Sequence, residues 1–146
     1  MSGLKQKRSG SGGKIRSDFP ELQRDKPALI ATIKKGLPAD RIEKLKALLD
    51  MPIGDLLELL SIPSSTFSRR RRQGELTRDE SERVYRMAHL LHRATDVFGS
   101  LEEARIWLKR PQYALGGVPP LDFADTEPGA REVEDLLGRI DHGIPV

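Results

Sequence analysis

Along almost the whole chain apolar side chains recur every three or four positions, and no segment of length alternates apolar with polar residues as a half-buried strand would. The pattern predicts an all-α protein. Pro27 at a helix start and Gly36 after the last periodic residue bracket a first helix, with Leu29, Ile30 and Ile33 as its apolar side. A second follows Pro38 and carries Ile42, Leu45, Leu48 and Leu49 at helical spacing. A third spans residues 54–60 and is ended by Ser61-Ile62-Pro63. A fourth spans 64–73, with Ser64 placed to cap it and Gly74 to stop it. The longest opens on the capping box Thr77-Arg78-Asp79-Glu80, after which Val84, Met87, Ala88, Leu91, Ala94 and Phe98 form one stripe over about six turns. Ser100-Leu101-Glu102-Glu103 opens the next in the same way and turns Ala104, Trp107 and Leu108 inward. Residues 110–125 read as a Pro/Gly loop. Thr126 starts a last helix that buries Val133, Leu136, Leu137 and Ile140, and Gly143 closes it before the tail Ile144-Pro145-Val146. No internal repeat is visible.

A length of 146 residues suits one compact domain or two small ones. Because only 5% of the residues are aromatic, the core is expected to be Leu, Ile, Val and Ala, without a large aromatic-lined cofactor pocket; no cofactor is expected. The absence of cysteine excludes disulfides, iron–sulfur clusters, thiolate zinc sites and a cysteine nucleophile, and fits a reducing, cytoplasmic location. No apolar run approaches the ~18–20 residues of a membrane helix, and the basic N-terminus leads into Gly and Ser rather than an apolar signal core. Neither secretion nor membrane insertion is expected.

Charge is unevenly divided. Residues 1–93 hold 20 Lys and Arg against 12 Asp and Glu, a balance of +8, whereas residues 94–146 hold 5 against 10, a balance of −5. One half suits a polyanion and the other a basic partner or cavity. Residues 1–17 contain Lys5, Lys7, Arg8, Lys14 and Arg16 without an acid, and Ser9-Gly10-Ser11-Gly12-Gly13 has nothing to bury, so a flexible basic arm is expected there. Its Gly-Ser-Gly-Gly-Lys does not make a phosphate loop: Arg8 stands where the first glycine belongs, Ile15 replaces Ser or Thr, and no strand precedes it.

Residues 54–73 have the outline of a helix-turn-helix: a short apolar helix, a tight turn, and a polar helix rich in hydroxyls and arginines. With Phe67 as core anchor, Ser65, Arg69 and Arg72 fall at i, i+4 and i+7 on one exposed face, flanked by Ser68 and Arg71. Ser65, Thr66 and Arg69 are the candidate readers of base edges. Arg70, Arg71 and Arg72 are placed for phosphates, helped by the caps at Ser64 and Thr77. The alternative for the arginine run is a solvated charged patch. Candidate catalytic groups are few. His142 has no nucleophile pattern beside it, and no enzymatic activity is expected. His89 and His92, with Asp96 a turn on, lack a further clear ligand and read as partly buried side chains; no metal site is expected.

From about residue 60 onward an ordered set of motifs runs along the chain: Ser65-Thr66-Phe67-Ser68-Arg69-Arg70, Gly74-Glu75-Leu76, Glu80-Ser81-Glu82-Arg83, Phe98-Gly99 and Trp107-Leu108. They continue through Ala114-Leu115-Gly116-Gly117-Val118-Pro119-Pro120-Leu121-Asp122, Thr126 to Ala130, Val133, Leu137-Gly138-Arg139-Ile140 and Gly143. In these the chain resembles the Xre/MbcA/ParS-like antitoxins, whose toxin partners carry the RES domain; residues 27–60 share the likeness loosely. The resemblance implies a Cro/repressor-like helix-turn-helix domain followed by a small helical toxin-binding domain. It implies a partner that degrades cellular NAD and is neutralised by occlusion of its active site, and repression of the chain's own operon.

It also implies an oligomer, and a homodimer within a toxin–antitoxin assembly suits repression, since two recognition helices one turn of DNA apart read a palindrome. The expected division is a basic arm at 1–17, a DNA-binding domain at 18–98 and a toxin-binding domain at 99–146. The implied toxin-binding residues are Leu115, Gly116, Gly117, Arg139, His142, Gly143, Ile144, Pro145 and Val146. The competing expectation is a freestanding transcription regulator whose C-terminal part serves dimerisation or an effector.

Overall fold

The computed structural model describes residues 12–145, whose regular elements are all helices, with no strand among them. The helices are α1 (residues 12–18), α2 (Lys26–Lys35), α3 (Arg41–Leu49), α4 (Ile53–Leu60), α5 (Ser64–Gln73), α6 (Arg78–Phe98), α7 (Leu101–Lys109), α8 (Pro120–Phe123) and α9 (Glu127–Asp141). Turns of 3-10 helix occupy Pro20–Gln23 and Tyr113–Leu115. The described residues form two compact units, residues 16–88 and residues 89–145 with 12–15, which divide inside α6.

In the unit of residues 16–88 the core is built by Ile42, Leu45, Leu48 and Leu49 of α3, Leu56, Leu57 and Leu60 of α4, Phe67 of α5 and Val84 and Met87 of α6. Each such side chain contributes roughly 1.5–3 kcal/mol of burial. The expected helix at 27–36 forms, with the Asp25 carboxylate accepting from Ala28 N at 3.0 Å and Pro27 in its first turn. Its apolar side, however, is not buried: Leu29 and Ile33 are half-exposed and Ile30 is 49% exposed. Caps and an Arg24 to Thr32 hydrogen bond of 2.7 Å hold this helix where packing does not. Gly36 ends it at φ +106°, where a Cβ would stand 2.3 Å from Leu76 O. The chain there runs against residues 74–76, with Leu76 N donating to Leu37 O and Ala39 N to Gly74 O, each at 2.9 Å.

Helix α1 departs from expectation. Residues 12–17, read as the end of a flexible arm, are helical, and Ile15 is fully buried. Burial of that side chain outweighs the poor helix propensity of Gly12 and Gly13. Residues 1–11 of the expected arm lie outside the described residues.

In the other unit Leu90, Leu91, Ala94 and Val97 of α6 share a core with Ala104, Leu108, Leu121, Val133, Leu136 and Leu137. Trp107, Phe98 and Ile140, expected inside, are only half-buried; the Trp107 and Phe98 rings meet at a 40° tilt with centroids 5.2 Å apart. Residues 110–125 are more ordered than a loop, holding the Tyr113–Leu115 turn and α8. Thr126 caps α9 by accepting from Gly129 N at 3.1 Å. A Cβ on Gly129 would meet Phe123 O at 1.8 Å, so only glycine lets α9 start this close to α8.

Candidate functional site

Helices α4 and α5 with the turn 61–63 form the expected helix-turn-helix, Ser61 adopting a left-handed conformation (φ 55°) that ends α4. Pro63 is the N-cap of α5, without a side-chain bond, and Ser64 is the first helical residue. Ser64 therefore does not cap the helix as expected: the turn reaches extended backbone one residue earlier, at Pro63. The first-turn N–H groups beside exposed Ser64 and Ser65 accordingly have no side-chain cap. Ser65, Ser68, Arg69 and Arg72 are exposed, Thr66 is half-buried, and Phe67 is buried as anchor.

The arginine run divides. Arg69 and Arg72 have no ion-pair partner among the described residues. Arg70 is largely buried and donates from Nε to Glu80 at 2.7 Å and from Nη1 to Gln73 at 3.0 Å. Arg71 pairs with Glu43 at 3.1 Å and lies over the Phe67 ring at 5.6 Å. Of the three arginines expected to be placed for phosphates, only Arg72 is thus left without a protein partner; Arg70 is committed to the frame of the domain.

Glu80 serves two helices. It accepts from Thr77 N at 2.9 Å while Thr77 Oγ1 accepts from Glu80 N at 3.2 Å, the reciprocal capping box, and it holds Arg70 at the same time. Burial opposes its charge, but the hydrogen bonds from Arg70 and Thr77 outweigh burial and keep its carboxyl below the usual glutamate range. Its hydrogen bond to Arg70, more than burial opposes it, raises that guanidinium further. Arg83 Nε, one turn on, donates to Leu60 O at 2.6 Å at the end of α4. Both helices of the motif are thereby fastened to α6. Sequence reading identified Glu80 as a capping residue and missed this second role, since nothing in the spacing joins it to Arg70.

In the C-terminal unit Gly116 and Gly117 take φ +70° and +83° on an exposed turn, while Leu115, expected at the partner surface, is buried and anchors that turn from within. Tyr113, which sequence reading did not single out, is 97% exposed beside them. Arg139, His142, Gly143, Ile144 and Pro145 are exposed, and Val146 lies outside the described residues. The end of α9 is a Schellman motif: Gly143 at φ +71° donates to Ile140 O at 3.1 Å and Ile144 N donates to Arg139 O at 2.8 Å. The tail thus leaves the helix in a set direction. His89 Nδ1 stands 2.6 Å from Glu134, and no group of three metal-ligating side chains occurs among the described residues. No helix among the described residues is long and apolar enough to cross a membrane.

Residues 28–89 match the antitoxin Xre-like helix-turn-helix domain, and residues 93–143 match the antitoxin Xre/MbcA/ParS C-terminal toxin-binding domain. An Antitoxin Xre from Photorhabdus laumondii is 39% identical over 120 residues, 81% of each chain. An Antitoxin Xre from Yersinia enterocolitica is 36% identical over 80% of each. A protein from Sphingobium named Prs ADP-ribosylating antitoxin is 31% identical over 78% of each.

Proposed function

The chain belongs to the Xre/MbcA/ParS antitoxin family, and from that premise we propose that it neutralises a RES-domain, NAD-degrading toxin by occluding its active site and represses its own operon by binding DNA. The observation that carries the DNA half is the outward face of α5. There Ser65, Arg69 and Arg72 stand exposed on a helix whose back is fastened by Arg70 to Glu80. Hydroxyl groups at the start of a recognition helix and arginines along its exposed face are side chains that contact base edges and phosphates, and the uncapped first turn of α5 offers further donors to a phosphate. The protein acts as a homodimer on a palindrome, in the cytoplasm, with the toxin joining as a hetero-oligomer.

The toxin half rests on the C-terminal domain, its balance of −5, and a tail held clear of the helix by the Schellman motif. Acidic surface suits the mouth of a nucleotide-binding pocket, since such pockets are commonly electropositive toward phosphates. Arg139, His142, Gly143, Ile144, Pro145 and Val146 would carry that contact, with Gly116 and Gly117; buried Leu115 would support it from beneath. The chain acts by binding and catalyses nothing.

The Sphingobium relative's name favours a second reading of the toxin: one that transfers ADP-ribose from NAD to a protein rather than hydrolysing NAD. One experiment tests both. The product of the neighbouring gene is co-purified with this chain, and NAD consumption and ADP-ribosylated protein are measured with and without it. Inhibition of NAD loss without any modified protein is the expected result. Modified protein would favour the second reading, and an unaffected rate would refute neutralisation.

A further inference from the structure

Tyr113 is an aromatic side chain left 97% exposed on a tightly fastened segment. Gln112 N donates to Val118 O at 3.3 Å, Gly117 N to Gln112 O at 2.9 Å and Gly116 N to Tyr113 O at 3.0 Å, so residues 112–118 close into a knuckle. The Gln112 side chain donates to the carbonyls of Trp107 and Arg110 at 3.1 and 3.2 Å, tying the knuckle to the end of α7. Folding gains nothing from a phenol ring held in water. A partner that covers it gains a large amphipathic contact, at little ordering cost because the backbone is already set.

The knuckle continues into a groove. Val118, itself 36% exposed, closes the knuckle and also lines an open groove of about 430 Å³ with Phe123, Asp122, Asp125 and Glu132. An apolar floor edged by carboxylates suits the stem and head of a Lys or Arg side chain. Both features fall inside residues 93–143, the stretch matched as a toxin-binding domain.

We propose that Tyr113 is the aromatic anchor of the toxin interface and that the adjoining Val118/Phe123 groove receives a basic side chain of the toxin. This rests on the reading of the C-terminal domain as toxin-binding, and it extends the contact already assigned to Gly116 and Gly117 with an aromatic anchor and a groove. The occupant is the toxin, on two grounds: the domain match, and the acidic edge of the groove, which suits the basic side chains that commonly surround a pocket for phosphate-bearing ligands.

The test measures binding of the full-length chain to its cognate toxin by biolayer interferometry. Tyr113→Ala is expected to raise Kd about 10- to 100-fold, chiefly through faster dissociation. Tyr113→Phe should stay within about threefold, as the ring carries the contact. Asp122→Lys with Glu132→Lys should slow association and flatten its salt dependence. All these positions are exposed or groove-lining, and thermal melts of each variant check that the fold is retained. Wild-type affinity in Tyr113→Ala would overturn the inference while leaving the antitoxin reading standing. So would unchanged toxin affinity with loss of self-association in sedimentation, which would assign the face to a second copy. Failure of the unaltered chain to bind the toxin at all would instead overturn the underlying reading.

Discussion

Successive residues of an α-helix point about 100° apart, so four consecutive arginines cannot all face one ligand. In α5 the run is divided by that geometry. Arg69 and Arg72 share the exposed side with Ser65, whereas Arg70 turns back to Glu80 and Arg71 lies across Phe67 toward Glu43. Two different experiments separate the pairs. Arg69→Ala and Arg72→Ala should each weaken operator binding and lower the salt slope by about one, with an unchanged melting temperature. Arg70→Ala should lower the melting temperature first and affect DNA only through the loosened helix. Anisotropy titrations over a salt series, paired with thermal melts, check this. A shallower slope with unchanged melting in Arg70→Ala would refute the division. The face itself was legible in the sequence, because Ser65, Arg69 and Arg72 fall at helical intervals from one another. The commitment of Arg70 was not, because its partner lies across the Gly74 to Thr77 turn and only the fold brings them together.

Among elements, those marked by an apolar period or by a clear start and stop residue were readable from the sequence: α4, α5, α6 and α9 fall within a residue or two of their expected bounds. Short elements were not. The turn at Tyr113–Leu115 and the four residues of α8 are too brief to show a period, and α1 contains two glycines that argue against a helix. The apolar side of α2 shows the opposite failure, since periodicity marks a face but does not say that a neighbour covers it.

The junction of α5 with α6 is where an element depends on one charge. Glu80 has its carboxyl held below the usual range in the fold, so the unfolded chain takes up a proton more readily. The stabilisation is complete above the ordinary glutamate range and is lost as pH falls through the depressed folded value. Glu80→Gln should cost about 1–3 kcal/mol at neutral pH. It should also show a smaller drop in melting temperature than the wild type between neutral pH and about pH 3. Parallel pH dependence in the two proteins would mean that Glu80 does not couple the helices through its charge.

At the scale of the whole molecule, the small net charge of +3 is the remainder of two opposed halves. The proposed function assigns DNA to the basic half, which carries α5 and its exposed arginines, and the toxin to the acidic half, which carries the knuckle, the groove and the tail. Such segregation would keep the associations from competing: in residues 94–146 acids outnumber bases ten to five, a net negative charge that disfavours DNA there. If the tasks are divided in this way, each should be removable without the other. Deleting residues 144–146 takes away exposed Ile144 and Pro145, together with Val146, but leaves the Arg139 to Gly143 end of α9, so the fold should persist. The truncated chain should lose rescue of toxin-expressing cells and bind toxin more weakly, with operator affinity within about twofold of the full chain. Growth rescue and operator anisotropy measured on the same variant check the two arms. Full rescue by the truncated chain would remove the tail from the inhibitory contact, and a parallel loss of operator binding would show that the two halves do not act independently.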